Sequence, residues 1–230
     1  MLPIRDNIPS RHTPIATKAL IVVNVLLFIS QWAMPDKEFA EFVYRYGFIP
    51  VRFLNSIMEF GILHTDSYLP MLTSMFLHGN WVHLISNMWM LWLFGDNVED
   101  IMGFARFLIF YILCCLISGF THFLFNPVSS VPTVGASGAI AGVMGAYLIL
   151  FPHSRIVTLV PVFIFLPMFI HVPAFIFLII WFLSQLYSGV TQWVGGGNVG
   201  GIAWWAHISG FLAGMFLHKY FAKRRIYWSF

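Results

Sequence analysis

Pro132-Thr-Val-Gly135-Ala136-Ser137-Gly138-Ala139 marks the point where a polar loop ends and an apolar helix begins. Glycines on both sides of Ser137 let the backbone and a reacting group approach its hydroxyl closely. Taken alone, the pattern is typical of a packing serine, because small residues line helix contacts in lipid. It also departs from the nucleophile elbow, which has glycine two residues after its serine, where Ala139 stands here. The interpretation of Ser137 therefore depends on the rest of the chain.

The composition is that of a membrane protein. Of the 230 residues, 59% are hydrophobic and 9% are charged, whereas soluble domains carry about 25% charged residues. We interpret the net charge of +3 as a topology signal and not as a nucleic-acid footprint. The sequence predicts an all-α polytopic membrane protein that lies in the lipid bilayer and binds no nucleic acid.

Six apolar segments predict a six-transmembrane-helix bundle. They cover residues 19–33, 80–100, 104–124, 135–151, 170–189 and 203–222. The first loop, about 35–79, mixes charged with aromatic residues and is predicted to be membrane-associated. The chain is thus divided into a cytoplasmic N-terminal tail (1–18), a membrane domain (19–222) and a basic C-terminal tail (223–230). Residues 156–171 are apolar but broken by prolines, and fit either an interface segment or an extension of the fifth helix.

Six helices place both chain ends on one side of the membrane. With the ends in the cytoplasm, the inner side carries more positive residues than the outer side, as the positive-inside rule requires. The inner residues are Arg5, Arg11, Lys18, Arg106, Arg155, Lys219, Lys223, Arg224 and Arg225, and the outer ones are Lys37, Arg45 and Arg52. The second, fourth and sixth predicted helices then run from outside to inside.

Those three helices carry polar residues at a similar shallow depth. The fourth has Ser137 in its first turn, and the sixth has His207 in its second. The second has His83 in its first turn and Asn87 four residues later, on the same face. Ionisable groups at this depth are costly unless they face the bundle interior. A serine beside a histidine can act as nucleophile and general base, and asparagine or histidine donors suit a developing oxyanion.

Small residues predict that the fourth and sixth helices touch. Spacings of three or four residues between small side chains let helix backbones approach closely. These residues are Gly138, Gly142 and Gly145 on the fourth helix and Ala206, Gly210 and Gly214 on the sixth.

Taken in order, these motifs resemble the rhomboid family of intramembrane serine proteases. The resemblance covers about residues 70–215. It rests on His83-x-x-x-Asn87, Gly95-x-x-x-Glu99, Gly135-x-Ser137-Gly138 and Ala206-His207-x-x-Gly210.

The resemblance implies Ser137 as nucleophile and His207 as general base. His83, Asn87 and the backbone N–H of Ser137 would form the oxyanion hole, with no cofactor. Structural residues near the site would be Gly135, Gly138, Gly210 and Glu99. Substrates would be single-pass membrane proteins, cut near the outer face at small residues beside helix-destabilising sequence. They would enter through a gate formed by the fifth helix and the loop 189–202.

Two positions depart from the family pattern. Ala141 stands where many members stack a tyrosine on the catalytic histidine, and Leu69-Pro70 stands where some have Trp-Arg. Trp204 or Trp205 could supply the missing ring.

The distribution of carboxylates predicts a dyad without an aspartate. All nine Asp and Glu residues lie at or before Asp100. The three nearest to a catalytic helix, Asp96, Glu99 and Asp100, close the second helix at its inner end. At 1.5 Å per residue, Glu99 is about 24 Å from His83. His207 is therefore predicted to be oriented by packing. The first-loop acids, Asp66 among them, are expected to face water or headgroups.

Other interpretations remain open at this point. His78 could hydrate the site or tie the first loop. A metal site of His78, His83 and His207 is conceivable by residue type, but the chain has no His-Glu-x-x-His, and we predict no metal. A rhomboid-like binder of membrane helices without activity, or a small proton-coupled transporter, are the alternatives to a protease. Short tails without an organelle-type presequence favour a bacterial or archaeal inner membrane.

Overall fold

The structure, a computed structural model, describes residues 2–61, 64–163, 166–195 and 202–223, without the side chains of residues 66 and 161–167. Within these ranges the chain forms nine α-helices and three β-strands. The helices are α1 (Ile15–Trp32), α2 (Asp36–Tyr46), α3 (Pro50–Phe60), α4 (Leu69–Thr73), α5 (Trp81–Met102), α6 (Phe104–Phe125), α7 (Ser137–Leu150), α8 (Ala174–Val194) and α9 (Trp204–Phe221). The strands are β1 (Leu2–Asp6), β2 (Arg155–Phe163) and β3 (Leu166–Pro173).

Six of the helices correspond to the six predicted membrane segments, and the predicted polytopic helical fold is confirmed. They are α1, α5, α6, α7, α8 and α9. In the described part of the chain, three are long and apolar enough by themselves to cross a membrane: α1, α6 and α8. Their outward faces expose large apolar side chains such as Leu26 and Ile180, which suits contact with lipid. We call the end of the bundle near Ser137 the outer end and the end near Met102 the inner end.

The short helix α7 lies at the centre of the bundle. Nearly all of its side chains are buried. Gly210 of α9 approaches the carbonyl oxygen of Gly138, and Gly214 approaches that of Gly142, so closely that a Cβ would collide at either position. The predicted small-residue contact between these helices is confirmed. It brings the first turns of α7 and α9 side by side.

A three-stranded antiparallel sheet, which the sequence analysis did not anticipate, extends from the inner end alongside α5, where Trp89 Nε1 donates to the carbonyl oxygen of Pro3 at 2.6 Å. The strand order is β1-β2-β3, with Leu2 opposite Leu159 and Arg155 opposite Pro173. Residues 156–163 and 166–171 therefore belong to paired strands, and their interpretation as an extension of the fifth helix is wrong. Their position in the membrane interface stays a prediction. The run from Ile156 to Val160 is rich in β-branched residues, which favour strands. Residues 1–18 are more than a tail, since they include β1 and the start of α1.

The first loop is mainly helical and holds the segment that leads into α7. Phe48 and Thr133 exchange two backbone hydrogen bonds, of 3.0 and 2.7 Å. The N–H of Gly135 donates to the carbonyl oxygen of Ser74 at 2.9 Å. These bonds fix the backbone just before Ser137. The predicted position of this loop in the membrane interface stays a prediction.

Candidate active site

Local signals in the sequence fix where each site helix begins. The Asn80 side chain accepts a hydrogen bond from the N–H of His83 at 2.8 Å, which caps α5 and places His83 in its first turn. Gly135 has φ +120°, a conformation that other residues rarely adopt, and it turns the chain into α7. Ser137 is the first residue of α7, so its own N–H lacks an acceptor within the helix.

Ser137 and His207 are hydrogen-bonded to each other. The distance from Ser137 Oγ to His207 Nε2 is 2.7 Å, within the normal range for such a bond. Both side chains are partly buried. The structure therefore brings together the predicted nucleophile and the predicted base.

The second ring nitrogen of His207 meets a residue that the sequence analysis missed. Gln185 of α8 has its Oε1 2.9 Å from His207 Nδ1. The described partners of the His207 ring nitrogens are Gln185 and Ser137, and the prediction of a dyad without an aspartate stays a prediction. The ring was expected to be oriented by packing, and the structure adds a hydrogen-bond partner, an amide oxygen, at Nδ1. A glutamine in an apolar membrane segment was the available signal, since polar groups there are costly and commonly functional.

Trp204 and Trp205 were the candidates to replace the missing tyrosine, and the structure adds Trp181 of α8. Trp204 meets His207 edge-on with ring centroids 6.1 Å apart, and Trp181 of α8 lies at the same distance with its ring tilted by 34°. Trp205 instead stacks on Phe125, at 3.9 Å between centroids. Trp204 and Trp181 therefore border the histidine, and Trp205 does not substitute for the tyrosine.

The predicted oxyanion donors converge beside Gly135. A Cβ on Gly135 would lie 2.6 Å from His83 Nε2 and 3.6 Å from Asn87 Nδ2. Any side chain there would displace the His83 ring, which explains the glycine. Asn87 is only 6% exposed, and its Nδ2 has no hydrogen-bond partner among the described residues. A buried donor without a partner is unusual in a folded protein.

These groups border one cavity of about 640 Å³. Its lining includes His83, Asn87, Ser137, Trp181, Gln185 and His207. The described residues contain no group of three or more His, Cys, Asp or Glu side chains that could hold a metal ion.

His78 lies directly behind His83. It is fully buried, and the two rings meet edge-on with centroids 5.1 Å apart. Burial, together with the nearby His83, lowers the pKa of His78 to about 3. His78 is therefore neutral at physiological pH.

Glu99 is not near this site. It lies at the inner end, where its two carboxylate oxygens accept the N–H groups of Ala16 and Thr17, each at 2.8 Å. It caps α1, whose N-cap residue, Pro14, has no side-chain acceptor. Its inclusion among the site residues is therefore corrected. Gly138 and Gly210 do lie where α7 meets α9, beside the site.

Some predictions fall outside the described residues. They concern the glycine-rich part of the proposed gate, residues 196–201, the basic tail beyond Lys223, and the side chain of Asp66.

Comparison with known families identifies the fold. The model of the Rhomboid domain matches residues 65–224, which is more than half of the chain. The chain belongs to the rhomboid family. It is a multi-pass integral membrane protein, and the predicted resemblance is confirmed.

Named rhomboid relatives align with the same region. The human mitochondrial presenilin-associated rhomboid-like protein is 35% identical over 152 residues, 65% of this chain and 35% of the relative. The mitochondrial Rhomboid protein 1 of Saccharomyces cerevisiae is 28% identical, over 62% of this chain and 38% of its own. The Rhomboid protease GluP of Bacillus subtilis is 36% identical, over 39% of this chain and 17% of its own.

The aligned part of this rhomboid chain spans about a third of the length of the first two relatives. Both are named mitochondrial, so they give no support to a bacterial or archaeal cell membrane. That location stays a prediction.

Proposed function

We propose that this rhomboid protein is an intramembrane serine endopeptidase that cleaves single-pass membrane proteins near the outer end of the bundle. The observation that carries the proposal is the 2.7 Å hydrogen bond between Ser137 Oγ and His207 Nε2 at the wall of a cavity. A relative named as a rhomboid protease supports the same reaction class.

The reaction proceeds in two halves, with water as the second reactant. Ser137 Oγ bonds to the scissile carbonyl carbon while its proton passes to His207 Nε2. The C–N bond then breaks, the leaving amine takes that proton, and an ester remains on Ser137. Water next gives a proton to His207 and bonds to the carbonyl carbon. The ester C–O bond breaks, and the proton returns to Ser137.

Three donors stabilise the oxyanion that forms at each attack. They are the His83 ring, the Asn87 amide and the backbone N–H of Ser137. The unpaired Nδ2 of buried Asn87 supports this role, because a donor held in place without a partner costs no reorganisation when charge develops. Gly135, beside both side chains, leaves the space open.

The proposed topology has both chain ends on the inner side. Asp6, at the end of β1, lies at the inner end beside Asn97, and the N–H of Lys223 donates to the carbonyl oxygen of Ile101, close to the end of α5. The excess of Lys and Arg on that side supports a cytoplasmic location. Substrate helices enter between α8 and the bundle, and the membrane is that of a bacterial or archaeal cell.

A fluorophosphonate probe combined with a single-span test substrate examines this proposal. We expect the purified wild-type protein in liposomes to be labelled and to cleave, and Ser137→Ala and His207→Ala to do neither. Removing a nucleophile or its base costs about 10⁶ in a soluble serine protease. Ser209→Ala is the matched control, because among the described residues its hydroxyl donates to backbone oxygens of its own helix α9.

The outcomes separate the alternatives. Labelling or cleavage that persists in folded Ser137→Ala would overturn the assignment of the nucleophile. A wild-type protein that captures the test helix without cutting it is a non-catalytic binder. A protein that neither captures nor cuts, but moves protons in liposomes, is a transporter.

A further inference from the structure

The hydrogen bond between Gln185 and His207 determines which ring nitrogen carries the proton. Gln185 is 8% exposed and lies on α8, whereas Ser137 and His207 lie on α7 and α9. Its amide oxygen is 2.9 Å from His207 Nδ1. Its amide nitrogen donates to Ser184 Oγ at 3.0 Å and to the carbonyl oxygen of Trp181 at 3.4 Å.

The two ends of the amide are therefore not interchangeable. A carbonyl oxygen cannot donate, so turning the amide over would set the Gln185 oxygen against the oxygen of Trp181. With Oε1 facing His207, Nδ1 must be the protonated nitrogen of the neutral imidazole. Nε2 then has a free lone pair aimed at the Ser137 hydroxyl, as a general base requires.

We propose that Gln185 is a positioning residue that holds His207 in the Nδ1–H tautomer and aims Nε2 at Ser137. The inference rests on the proposed proteolytic function and adds a fourth helix, α8, to the three that carry the proposed dyad and oxyanion donors.

An amide suits this position for a physical reason. An aspartate there would bury a charge within a membrane segment, at a high cost in free energy unless it were paired. An amide oxygen accepts the same hydrogen bond from the Nδ1–H of His207 without burying a charge. Trp181 and Trp204 restrict the ring by contact, but an aromatic edge or face does not distinguish the two tautomers of an imidazole.

The main test is Gln185→Met, which keeps an unbranched side chain of similar length and removes the acceptor. A soluble triad loses about 10⁴ in kcat when its aspartate becomes asparagine and the tautomer is wrong. Because an amide contributes orientation and no charge, we expect about a 10²-fold loss in kcat with KM within about twofold. The rate of fluorophosphonate labelling should fall by the same factor, since the small probe needs an activated Ser137 but no opening for a helix.

Gln31→Met is the matched control. Gln31 is a buried glutamine of α1, outside the proposed gate and site, and its amide nitrogen and oxygen have no hydrogen-bond partner among the described residues. We expect wild-type cleavage and labelling from it.

Gln185→Glu provides a second test that does not depend on the first variant folding. Its carboxylate keeps an acceptor at Nδ1, so activity well above neutral pH should return to within about tenfold of wild type. The negative charge also stabilises the imidazolium, so the low-pH limb of the kcat/KM profile should move to higher pH. The other titratable groups that act on His207 are His83 of α5 and His122 of α6, and both are unchanged in this variant.

Each outcome decides the inference. Equal losses of kcat and labelling in Gln185→Met, with rescue and a shifted pH limb in Gln185→Glu, support it. Slower cleavage at an unchanged labelling rate would overturn it, because Gln185 would then act on substrate entry. A wild-type-like Gln185→Met, or an unmoved limb in Gln185→Glu, would also overturn it while the proposed protease stands. A wild-type protein that does not react with the probe removes the proposed function, and this inference with it.

Discussion

Asn87 and Asn97 lie on the same helix, α5, and both are buried, yet their amides have opposite environments. At the inner end, Asn97 Nδ2 donates to Asp6 Oδ2 at 2.9 Å and to Asp96 Oδ1 at 3.1 Å. Towards the outer end, Asn87 Nδ2 has no partner among the described residues and faces the cavity beside Ser137. Asn97 therefore links α5 to the N-terminal segment, whereas the amide nitrogen of Asn87 can still donate to a bound group.

The same contrast extends to the two ends of the bundle. At the inner end, Glu99 accepts two backbone N–H groups, and the Tyr147 hydroxyl donates to Asp6. Burial raises the pKa of Asp6 there. At the outer end, polar side chains converge on a cavity. The Asn97 amide, with partners on other parts of the chain, holds the fold together. The Asn87 amide nitrogen has no partner among the described residues and borders the cavity beside Ser137 and His207, so it can donate to a group bound there.

The largest expected effect is a loss of kcat in Asn87→Ala that Asn97→Ala does not show. Removing one oxyanion donor costs about 10²–10³ in soluble enzymes, and because two other donors remain here we expect about 10² in kcat from Asn87→Ala. KM and thermal stability should change little. Asn97→Ala should instead lower the free energy of unfolding by about 1–3 kcal/mol, with kcat per folded molecule unchanged. Cleavage kinetics and thermal melts in detergent measure both.

A raised KM at constant kcat in Asn87→Ala would mean that this residue positions substrate. An equal loss of kcat in folded Asn97→Ala would remove the contrast between the two ends.

The next effect concerns the inner end alone. Glu99→Gln turns one of two acceptors into a donor that faces an N–H group, so the free energy of unfolding should fall by about 2 kcal/mol. Asp100→Asn is the matched control, because its partner His12 is 60% exposed and the asparagine keeps an oxygen that can accept the backbone N–H of His12. Both variants should keep wild-type kcat per folded molecule.

Thermal melts and active-site titration with the fluorophosphonate probe separate these quantities. A thousandfold loss of kcat in well-folded Glu99→Gln would show that the inner end takes part in catalysis.

The smallest expected effect is a pH dependence of the free energy of unfolding, and it originates at His78, next to the site. The pKa of His78 is lowered to about 3 in the folded protein, so between that value and about 6.5 the unfolded chain binds more protons. The contribution of His78 to the free energy of unfolding is therefore largest above pH 6.5, and it decreases as the pH falls below that value. From pH 7.5 to 5.5 the loss should be about 1.4 kcal/mol.

His78→Phe keeps a ring against Phe28 and removes this dependence. The difference between the two proteins in unfolding free energy should therefore shrink at pH 5.5 relative to pH 7.5. A constant difference would show that His78 is not buried in its neutral form.

Much of this arrangement could be predicted from the sequence, because hydrophobic length and helical spacing are local signals. They located the six membrane segments, the contact of Gly138 and Gly210, and the meeting of Ser137 with His207. The sheet was missed because Leu2 pairs with Leu159, a contact that no local pattern records. Gln185 was missed because its role appears only when α8 and α9 are placed side by side, and one polar residue in an apolar segment does not reveal which helix it faces.

The pairing of β1 with β2 determines when the sheet can form during synthesis of the chain. Residues 2–6 are made long before their partners at residues 156–159, which follow Ser137 and precede His207 in the chain. The start of α1 must likewise wait for Glu99. A nascent chain can therefore complete the sheet at its inner end while the histidine of the proposed dyad is still untranslated. Such a chain completes the sheet before it contains the proposed general base.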